Sequence, residues 1–207
     1  MFGRAPFRCF SLSKPRTRTL YQKVSRLPSG KGTRGCYDGD MHAFDGLSTP
    51  IGRIHLVASD DALVRLYLPN ETWSERYVRK PNHPILLLAK KELREYFSGQ
   101  RTTFSVPVSL EGTPFQQKAW KVLRGIPYGT TVTYAEEARE VGSPRAVRAV
   151  GSANGKNPIP IVIPCHRVIA SDGGLGGYAG GLSCKRFLLA LERPKKGESF
   201  SSADLVS

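Results

Sequence analysis

The chain has 207 residues, of which 40% are hydrophobic and 23% are charged, and its formal net charge is +14. These proportions describe an ordinary globular protein that is long enough for one large domain or two small ones. No apolar run approaches the roughly 18 residues that cross a bilayer, so we expect a soluble monomer with no membrane partner.

The positive charge is concentrated at the N-terminus. Nine of the 31 lysines and arginines lie in residues 1–37, and none of the 17 acidic residues does. This composition is typical of a mitochondrial transit peptide and equally of a disordered basic arm with weak, salt-sensitive affinity for nucleic acid. We assign residues 1–44 to such an arm or transit peptide and residues 195–207 to a disordered tail. The expected location is the nucleus or, through the arm, the mitochondrion.

The first folded segment, residues 45–110, has the pattern of a small α+β domain built on an antiparallel sheet. Two β-prone runs, residues 51–57 and 63–68, flank an acidic turn and predict a hairpin. Pro84 begins an amphipathic helix, and a further strand is predicted over residues 103–108. The segment contains no obvious catalytic group, so we expect it to be a scaffold.

The second folded segment, residues 111–194, is predicted to be mostly α-helical. Thr113 is the predicted N-cap of one helix, and Thr133 with Glu136 forms a capping box for the next. A third helix is predicted to begin at Ser143, directly after a glycine turn. The second and third helices have helix-turn-helix spacing.

The third helix is the candidate for DNA binding. It carries Arg145 and Arg148 three residues apart, hence on nearly one face, among small residues that let this face lie close to a partner. The same pattern also occurs in helical proteins without a DNA function, where the arginines only solvate an outer face. The pattern alone leaves both interpretations open.

Cys165 is the candidate for a reactive group. It follows a β-branched run and Pro164, which favours a stiff turn, and His166 comes directly after it. A thiolate beside a base is a nucleophile, whereas the alternative is a buried structural cysteine. Glu192 ends the last helix, where a carboxylate is disfavoured, and is the candidate partner of His166. An exposed charge at a frayed helix end is the alternative there.

Two flanking features indicate a pocket around this cysteine. Asn157 can hydrogen-bond the backbone of the turn, in a structural role as readily as in a catalytic one. Residues 172–181 are rich in glycine but lack the spacing of a phosphate-binding loop, so we predict a mobile wall or lid.

The four cysteines are spaced too irregularly for a disulfide framework or a paired metal site. This favours a reduced intracellular compartment.

The motifs together resemble one known family. They are TPFQQ (113–117), IPYG (126–129), Tyr134, RAVRAVG (145–151), Asn157-Pro158, IPCHRV (163–168) and GYAGGL (177–182). They resemble the O6-alkylguanine-DNA alkyltransferases, also called methylated-DNA–protein-cysteine methyltransferases. The resemblance is strong from Thr113 to Glu192 and weak upstream, and it does not cover the N-terminal arm.

The resemblance implies a suicidal, single-turnover DNA repair enzyme. It would flip O6-alkylguanine, and less readily O4-alkylthymine, out of duplex DNA and move the alkyl group irreversibly to Cys165. His166 would activate the thiol through a water, Glu192 would hold the imidazole, and Asn157 would order the turn. Tyr134 would donate a proton or hydrogen bond to the departing guanine. No cofactor is implied.

The resemblance also implies a binding surface for double-stranded DNA. The recognition helix would enter the minor groove, and Arg148 would fill the place of the flipped nucleotide. The implied DNA contacts are Arg148, Arg145, Ala146, Ser143, Thr133, Gly151 and Asn154. The implied substrate-pocket residues are Val168, Leu175, Tyr178, Ala179 and Gly180, with residues 175–180 as the lid. The backbone carbonyls of Cys165 and Val168 would read the guanine amino group.

The chain departs from the family pattern in two places. Human-type relatives have a serine at the position of Ala179, so here the backbone must supply that interaction or it is absent. Some relatives bind zinc, and Cys36 and His42 lie near one another in sequence, but we see no set of four ligands and predict no metal. Two rival functions remain: a non-catalytic protein that binds alkyl lesions, which would lack the acceptor cysteine, and a cysteine hydrolase, which would need an oxyanion hole.

Overall fold

The structure is a computed structural model that describes residues 42–72 and 77–193. The predicted tail, and all of the predicted arm except residues 42–44, lie outside this range. Within it, the prediction of an α+β fold with a sheet in the first half and helices in the second is confirmed. None of the helices in the described ranges is long and apolar enough to span a membrane.

A four-stranded sheet forms the first half. Its strands are β1 (Ala43–Thr49), β2 (Gly52–Ala58), β3 (Leu63–Tyr67) and β4 (Val78–Arg79), in the order β3-β2-β1-β4. The predicted hairpin is confirmed as the antiparallel pair β2–β3; β1 pairs antiparallel with β2, and β4 joins β1 in parallel. Strand β1 was not predicted, because Asp45 and Gly46 interrupt its β-prone pattern.

Helix α1 (Pro84–Phe97) begins at the predicted proline and packs against the sheet. The strand predicted over residues 103–108 is wrong, since only an isolated bridge forms there, at Val108. The backbone N–H groups of Val106 and of the residue before it donate instead to the buried carboxylate of Glu92, at 3.0 and 3.1 Å. Donors used in this way cannot join a strand ladder.

Two capped helices begin the second half. They are α2 (Pro114–Arg124) and α3 (Tyr134–Glu140). The predicted N-caps Thr113 and Thr133 are confirmed, because each side-chain oxygen accepts the backbone N–H three residues further on. Both therefore satisfy an N–H group that a helix leaves without an internal partner.

Helix α4 (Val147–Gly155) begins later than predicted. The N–H of Ala146 donates to the carbonyl of Ser143 at 2.8 Å, so the residues from Ser143 onward form a turn before the helix. Arg145 lies in that turn, and it does not share a helix face with Arg148. The prediction that both arginines lie on one helix is wrong, because the turn uses the residues that the periodicity assigned to the helix.

The cysteine segment and the last helix complete the fold. Cys165–Arg167 form one 3₁₀ turn, followed by β6 (Val168–Ile169), which pairs in parallel with β5 (Val132–Thr133). Helix α5 (Gly181–Leu191) has Glu192 as its C-cap, so it ends where predicted. Phe187 of α5 is 37% exposed, and the centroid of its ring lies 6.5 Å from that of Phe97.

One hydrophobic core connects the two halves. Leu56 of the sheet, Leu93 of α1, Trp120 of α2 and Ile163 belong to the same buried cluster as Cys165. A second, smaller cluster lies between α2, α3 and α4. Because the sheet and the cysteine segment share a core, the packing of the scaffold fixes the position of the thiol.

Candidate active site

Cys165 lies on a turn that Asn157 holds from the side. Nδ2 of Asn157 donates to the carbonyl of Ile163 at 2.7 Å and to Sγ of Cys165 at 3.2 Å, and its Oδ1 accepts the N–H of Ile159 at 3.0 Å. Ile161, within this loop, has a φ of +76°, which is strained for a β-branched residue. Asn157 therefore orders the turn, as expected, and also touches the sulfur directly.

Glu192 is the centre of a buried hydrogen-bond network. Its Oε1 accepts from Nε2 of His166 at 2.8 Å, from the hydroxyl of Tyr96 at 2.7 Å and from Nη2 of Arg167 at 2.9 Å. Its Oε2 accepts from Nε of Arg167 at 2.8 Å and from the N–H of Gly129 at 3.3 Å. His166 is 0% exposed and Glu192 is 2% exposed. The expected pairing of these two residues is present in the structure.

The charges in this network assign the proton on the imidazole. Burial raises the pKa of Glu192, but the hydrogen bonds from His166 and Arg167 and the positive charge of Arg167 outweigh it and lower the pKa to about 2. Burial lowers the pKa of His166 by more than the bond to Glu192 raises it, so the ring is neutral at pH 7. An ionised carboxylate only accepts hydrogen bonds, so Nε2 carries the proton and Nδ1 is an acceptor. Nδ1 is buried and has no hydrogen-bond partner among the described residues.

The thiol of Cys165 is protonated in the free protein. It is 7% exposed, and burial raises its pKa to about 11, while the Asn157 hydrogen bond and the positive charge of Lys185 lower the pKa only in part. Since the thiolate is the nucleophile, a base must remove the proton when the cysteine reacts. The neutral Nδ1 of His166 is an acceptor of the right kind.

A pocket of about 420 Å³ opens onto Cys165. This volume falls within the range of small-molecule sites, about 300–1,000 Å³. Its lining comes from α3, α4, the cysteine turn and the glycine-rich loop, and consists of Tyr134, Val147, Arg148, Gly151, Asn154, Gly155, Cys165, Gly177, Tyr178 and Ala179. The site therefore combines a thiol, two phenols and an exposed guanidinium around one opening.

Three of the expected substrate-pocket residues do not line this pocket. Val168 is fully buried, Leu175 borders a separate cavity of about 300 Å³, and Gly180 packs against Leu68. The resemblance implied that the whole loop of residues 175–180 lies over the substrate. Of the expected pocket residues in this loop, only Tyr178 and Ala179 line the pocket.

The expected DNA contacts separate into two groups. Arg148 and Gly151 line the pocket, while Ser143, Arg145 and Ala146 border a neighbouring open depression. Asn154 also lines the pocket, although its side chain is only 7% exposed and donates to Glu137 at 2.7 Å. Thr133 belongs to neither group, since its partly exposed side chain caps α3.

Lys185 is a functional candidate that the sequence did not reveal. It is 0% exposed, and its Nζ donates to the carbonyls of Val168 at 2.6 Å, of Leu175, and of Gly177 at 3.5 Å. It thereby ties the glycine-rich loop to β6 beside the cysteine. The sequence did contain a signal that this lysine is buried, because it lies on the apolar stripe of α5, three residues before the buried Leu188.

Tyr96 and Arg167 were also missed. The helical pattern indicated only that Tyr96 lies on the apolar face of α1. A buried hydroxyl needs a hydrogen-bond partner, and this one donates to Glu192. Arg167 follows an apolar run in the IPCHRV motif, and a charged residue in such a place indicates a buried ion pair. Neither signal identifies the partner, because Glu192 is distant in sequence.

Within residues 42–72 and 77–193, no group of three or more His, Cys, Asp or Glu side chains is placed to hold a metal ion. Cys36 lies outside the described residues. His83 occupies the N-cap position of α1 but makes no capping hydrogen bond with its side chain.

Sequence comparison identifies both halves of the chain. Residues 45–110 match the family described as "6-O-methylguanine DNA methyltransferase, ribonuclease-like domain", and residues 114–194 match "6-O-methylguanine DNA methyltransferase, DNA binding domain". The chain is 47% identical over 159 residues to the constitutive methylated-DNA–protein-cysteine methyltransferase of Bacillus subtilis, covering 74% of this chain and 96% of that protein. A protein of the same name from Methanosarcina barkeri is 46% identical over 158 residues, covering 72% of this chain and 96% of that one.

Solved structures give the same answer. The OGT of Mycobacterium tuberculosis in complex with DNA matches with a TM-score of 0.70 and 43% identity, over 73% of this chain and 92% of that chain. The O6-methylguanine methyltransferase of the same organism matches with a TM-score of 0.71 and 40% identity, over 79% of this chain and 98% of that chain. The two family domains cover most of the described residues, and the relatives are matched over nearly their full length. This chain therefore belongs to the 6-O-methylguanine DNA methyltransferase family.

Proposed function

We propose that this protein repairs duplex DNA by moving the alkyl group of O6-alkylguanine, and less readily of O4-alkylthymine, to Cys165, irreversibly and once per molecule. The observation that carries the proposal is the position of Sγ. It lies on the wall of a pocket that is large enough for a purine base. Asn157 donates a hydrogen bond to the sulfur, and the neutral His166 is the next residue in the chain. Family membership supplies the substrate class.

The proposed reaction begins with the proton of Cys165. A water molecule carries it from Sγ to Nδ1 of His166, and Nε2 keeps its hydrogen bond to Glu192. The carboxylate then faces an imidazolium, which it stabilises by its charge. Because Glu192 stays ionised throughout, the histidine is the group that holds the proton.

The transfer step follows from the thiolate. Sγ attacks the alkyl carbon, the S–C bond forms as the C–O6 bond breaks, and the electron pair of the broken bond passes into the guanine ring. Tyr134 donates a proton to the ring, so neutral guanine leaves, and the tyrosine regains its proton from the imidazolium through solvent. Atoms and charges balance without a co-reactant. The thioether that remains is not hydrolysed at neutral pH, so each molecule acts once.

The proposed DNA complex requires the base to leave the stack. Extrusion costs a few kcal/mol, and we propose that Arg148, exposed at the rim of the pocket, offsets part of this cost by entering the duplex through the minor groove. Ser143, Arg145 and Ala146 then lie against the neighbouring backbone. The carbonyl of Val168 accepts a hydrogen bond from Nζ of Lys185, and Val168 is buried away from the pocket, so we do not assign this carbonyl to the guanine amino group.

Intact mass spectrometry tests the proposal. After incubation with a duplex containing O6-methylguanine, we expect a permanent gain of one methylene that maps to Cys165. The matched control is the other buried cysteine of the described chain: Cys184→Ser should still gain the mass, and Cys165→Ser should not. An unchanged mass with tight binding supports a non-catalytic lesion-binding protein. An unchanged mass with released methanol supports a cysteine hydrolase.

We further infer a division of labour within a monomer. Residues 45–110 would be the scaffold, and residues 111–194 would bind DNA and accept the alkyl group. We infer that the protein acts in the nucleus or, through residues 1–44, in the mitochondrion. Fluorescent fusions with and without residues 1–37 distinguish the two locations.

A further inference from the structure

Two buried polar side chains meet between α3 and α4 and leave two oxygen atoms without partners. Glu137 is 1% exposed and Asn154 is 7% exposed. Nδ2 of Asn154 donates to Oε2 of Glu137 at 2.7 Å. Oε1 of Glu137 and Oδ1 of Asn154 are buried, and neither has a hydrogen-bond partner among the described residues. Orphaned acceptors of this kind are rare and costly in a protein interior.

A single proton would satisfy both oxygens. A carboxylic acid and a primary amide pair through two antiparallel hydrogen bonds, with the acid O–H donating to the amide oxygen and the amide N–H donating to the acid carbonyl. An ionised carboxylate cannot form the first of these bonds, because it only accepts. Rotating the amide by half a turn gives no alternative with an ionised carboxylate, since it would place the amide oxygen against Oε2.

We propose that Glu137 remains a neutral carboxylic acid in the folded protein at mildly acidic pH, up to the neutral range, and pairs with Asn154 through two hydrogen bonds that fix α4 against α3. Burial acts in the same direction, since it raises the pKa of Glu137 to about 7 even though the bond from Asn154 lowers it. Asn154 lines the pocket beside Cys165, and Gly151, one turn earlier, lies against the ring of Tyr134. The pair therefore positions the wall that carries Arg148.

No neighbouring cation takes the place of this proton in the described part of the chain. Two lysines of α2 border a groove with Glu137, but neither contributes to its pKa. The charged or titratable groups near Glu137 on α2, α3 and the cysteine turn are Lys118, Lys121, Tyr134, Glu136, Glu140 and Cys165, while the charged residue of α4, Arg148, does not contribute to the pKa of Glu137.

The charge state of Glu137 also bears on the thiol. A negative charge at Glu137 raises the pKa of Cys165 and of Tyr134. A neutral acid removes that effect, so the thiolate forms more readily and Tyr134 is a better proton donor. The pairing itself does not depend on the proposed function, whereas this consequence rests on it.

Glu137→Gln is the matched variant. Its amide can form the same two hydrogen bonds with Asn154 but has no proton to lose. The folded-state pKa of Glu137 lies above the ordinary value of 4.5, so its contribution to stability is complete below the unfolded pKa and is lost as pH rises through about 7. We expect the free energy of unfolding of the wild type to fall relative to the variant between about pH 5 and pH 8. Parallel pH profiles would overturn the proposal.

A direct measurement uses ¹³C-labelled glutamate carboxyl groups. The NMR signal that disappears in Glu137→Gln identifies Glu137, and we expect its titration midpoint near 7, above that of the other glutamates. A midpoint near the ordinary value for glutamate, about 4.3, contradicts a neutral acid. This readout needs no DNA, so it is independent of the repair activity.

Single-turnover transfer from O6-methylguanine duplex tests the consequence for the site. We expect the ratio of the wild-type rate to the variant rate to fall several-fold as pH rises through the titration of Glu137. An identical pH dependence of both proteins overturns the link to the thiol. Transfer by neither protein contradicts the proposed function and leaves the stability and NMR results to decide the pairing.

Discussion

Glu192→Gln removes the charge at the centre of the active-site network and keeps the size of the side chain. An amide presents one oxygen where the carboxylate presents two, so in either orientation at least two of the present donors lose their acceptor. Arg167, which is 5% exposed, keeps the carbonyl of Ile126 but loses its counter-ion. A buried cation without a partner is the main cost.

The pKa of Glu192 gives the magnitude. It is about 2 in the folded protein against an ordinary value of 4.5, and each pH unit of difference corresponds to about 1.4 kcal/mol. The ionised carboxylate therefore stabilises the fold by about 3 kcal/mol, and this agrees with the roughly 3–5 kcal/mol lost when a buried pair is broken on one side. Because the pKa is lowered, this stability is present above about pH 4.5 and is lost as pH falls towards 2.

Denaturant titration at pH 7 measures the loss. We expect Glu192→Gln to lower the free energy of unfolding by about 3 kcal/mol and to flatten its decline between about pH 5 and pH 2. Glu111→Gln, which changes an exposed glutamate, is the control and should stay within about 0.5 kcal/mol of the wild type. A loss below about 1 kcal/mol in Glu192→Gln would refute the proposed network energetics.

The same variant tests the assignment of the imidazole proton. The introduced amide can donate to Nε2 of His166, which moves the ring proton to Nδ1 and removes the lone pair available to the thiol. A wrong tautomer of this kind lowers the rate of a catalytic histidine by about 10²–10⁴-fold. We expect a loss of that size in single-turnover transfer, measured where the variant is still folded. An unchanged rate would show that His166 is not the base.

Three further predictions concern the pocket. The resting protein has a protonated Cys165, with a pKa of about 11, and a neutral His166, and proton transfer between them leaves the net protonation unchanged, so the transfer rate of Glu137→Gln should be level from about pH 7 to 9; a rate that rises in proportion to hydroxide concentration would contradict His166 as the base. Lys185→Met keeps the length of the side chain but removes the ammonium that holds the glycine-rich loop. Amide hydrogen exchange across residues 172–178 should therefore accelerate, and unchanged exchange would show that Lys185 does not hold the loop. Tyr134→Phe should slow transfer by about 10²-fold with unchanged affinity for lesion DNA, and equal rates would exclude it as the proton donor.

The elements that were predictable from sequence are those whose information is local. Thr113 and Thr133 cap their helices through the N–H group three residues on, so a short motif contains both partners. Cys165 was predicted to be the reactive group in the same way, because Pro164, Cys165 and His166 are adjacent. A contact predicted between residues that are close in sequence forms in the structure unless a distant group competes for the same atoms.

The errors arose where a distant group did compete. The strand predicted over residues 103–108 fails because Glu92 captures its backbone donors. The role of Tyr96 depends on Glu192, which lies 96 residues away. The carbonyl partners of Lys185 belong to other segments. Periodicity reports which face of an element is buried, but it does not report which polar atoms meet there.

The high pKa of the resting thiol agrees with the proposal that Cys165 accepts an alkyl group only once. With a pKa of about 11, only about one molecule in 10⁴ carries a thiolate at pH 7. Oxidants and stray electrophiles react with the thiolate, so burial protects the sulfur until a substrate fills the pocket. His166, the proposed base, is itself buried, and Asn157 and Lys185 lower the pKa of the thiol from fixed positions. We infer that burial has two effects on this sulfur. It keeps the free cysteine protonated and inert, and it leaves the thiolate, once formed, poorly solvated and therefore strongly nucleophilic.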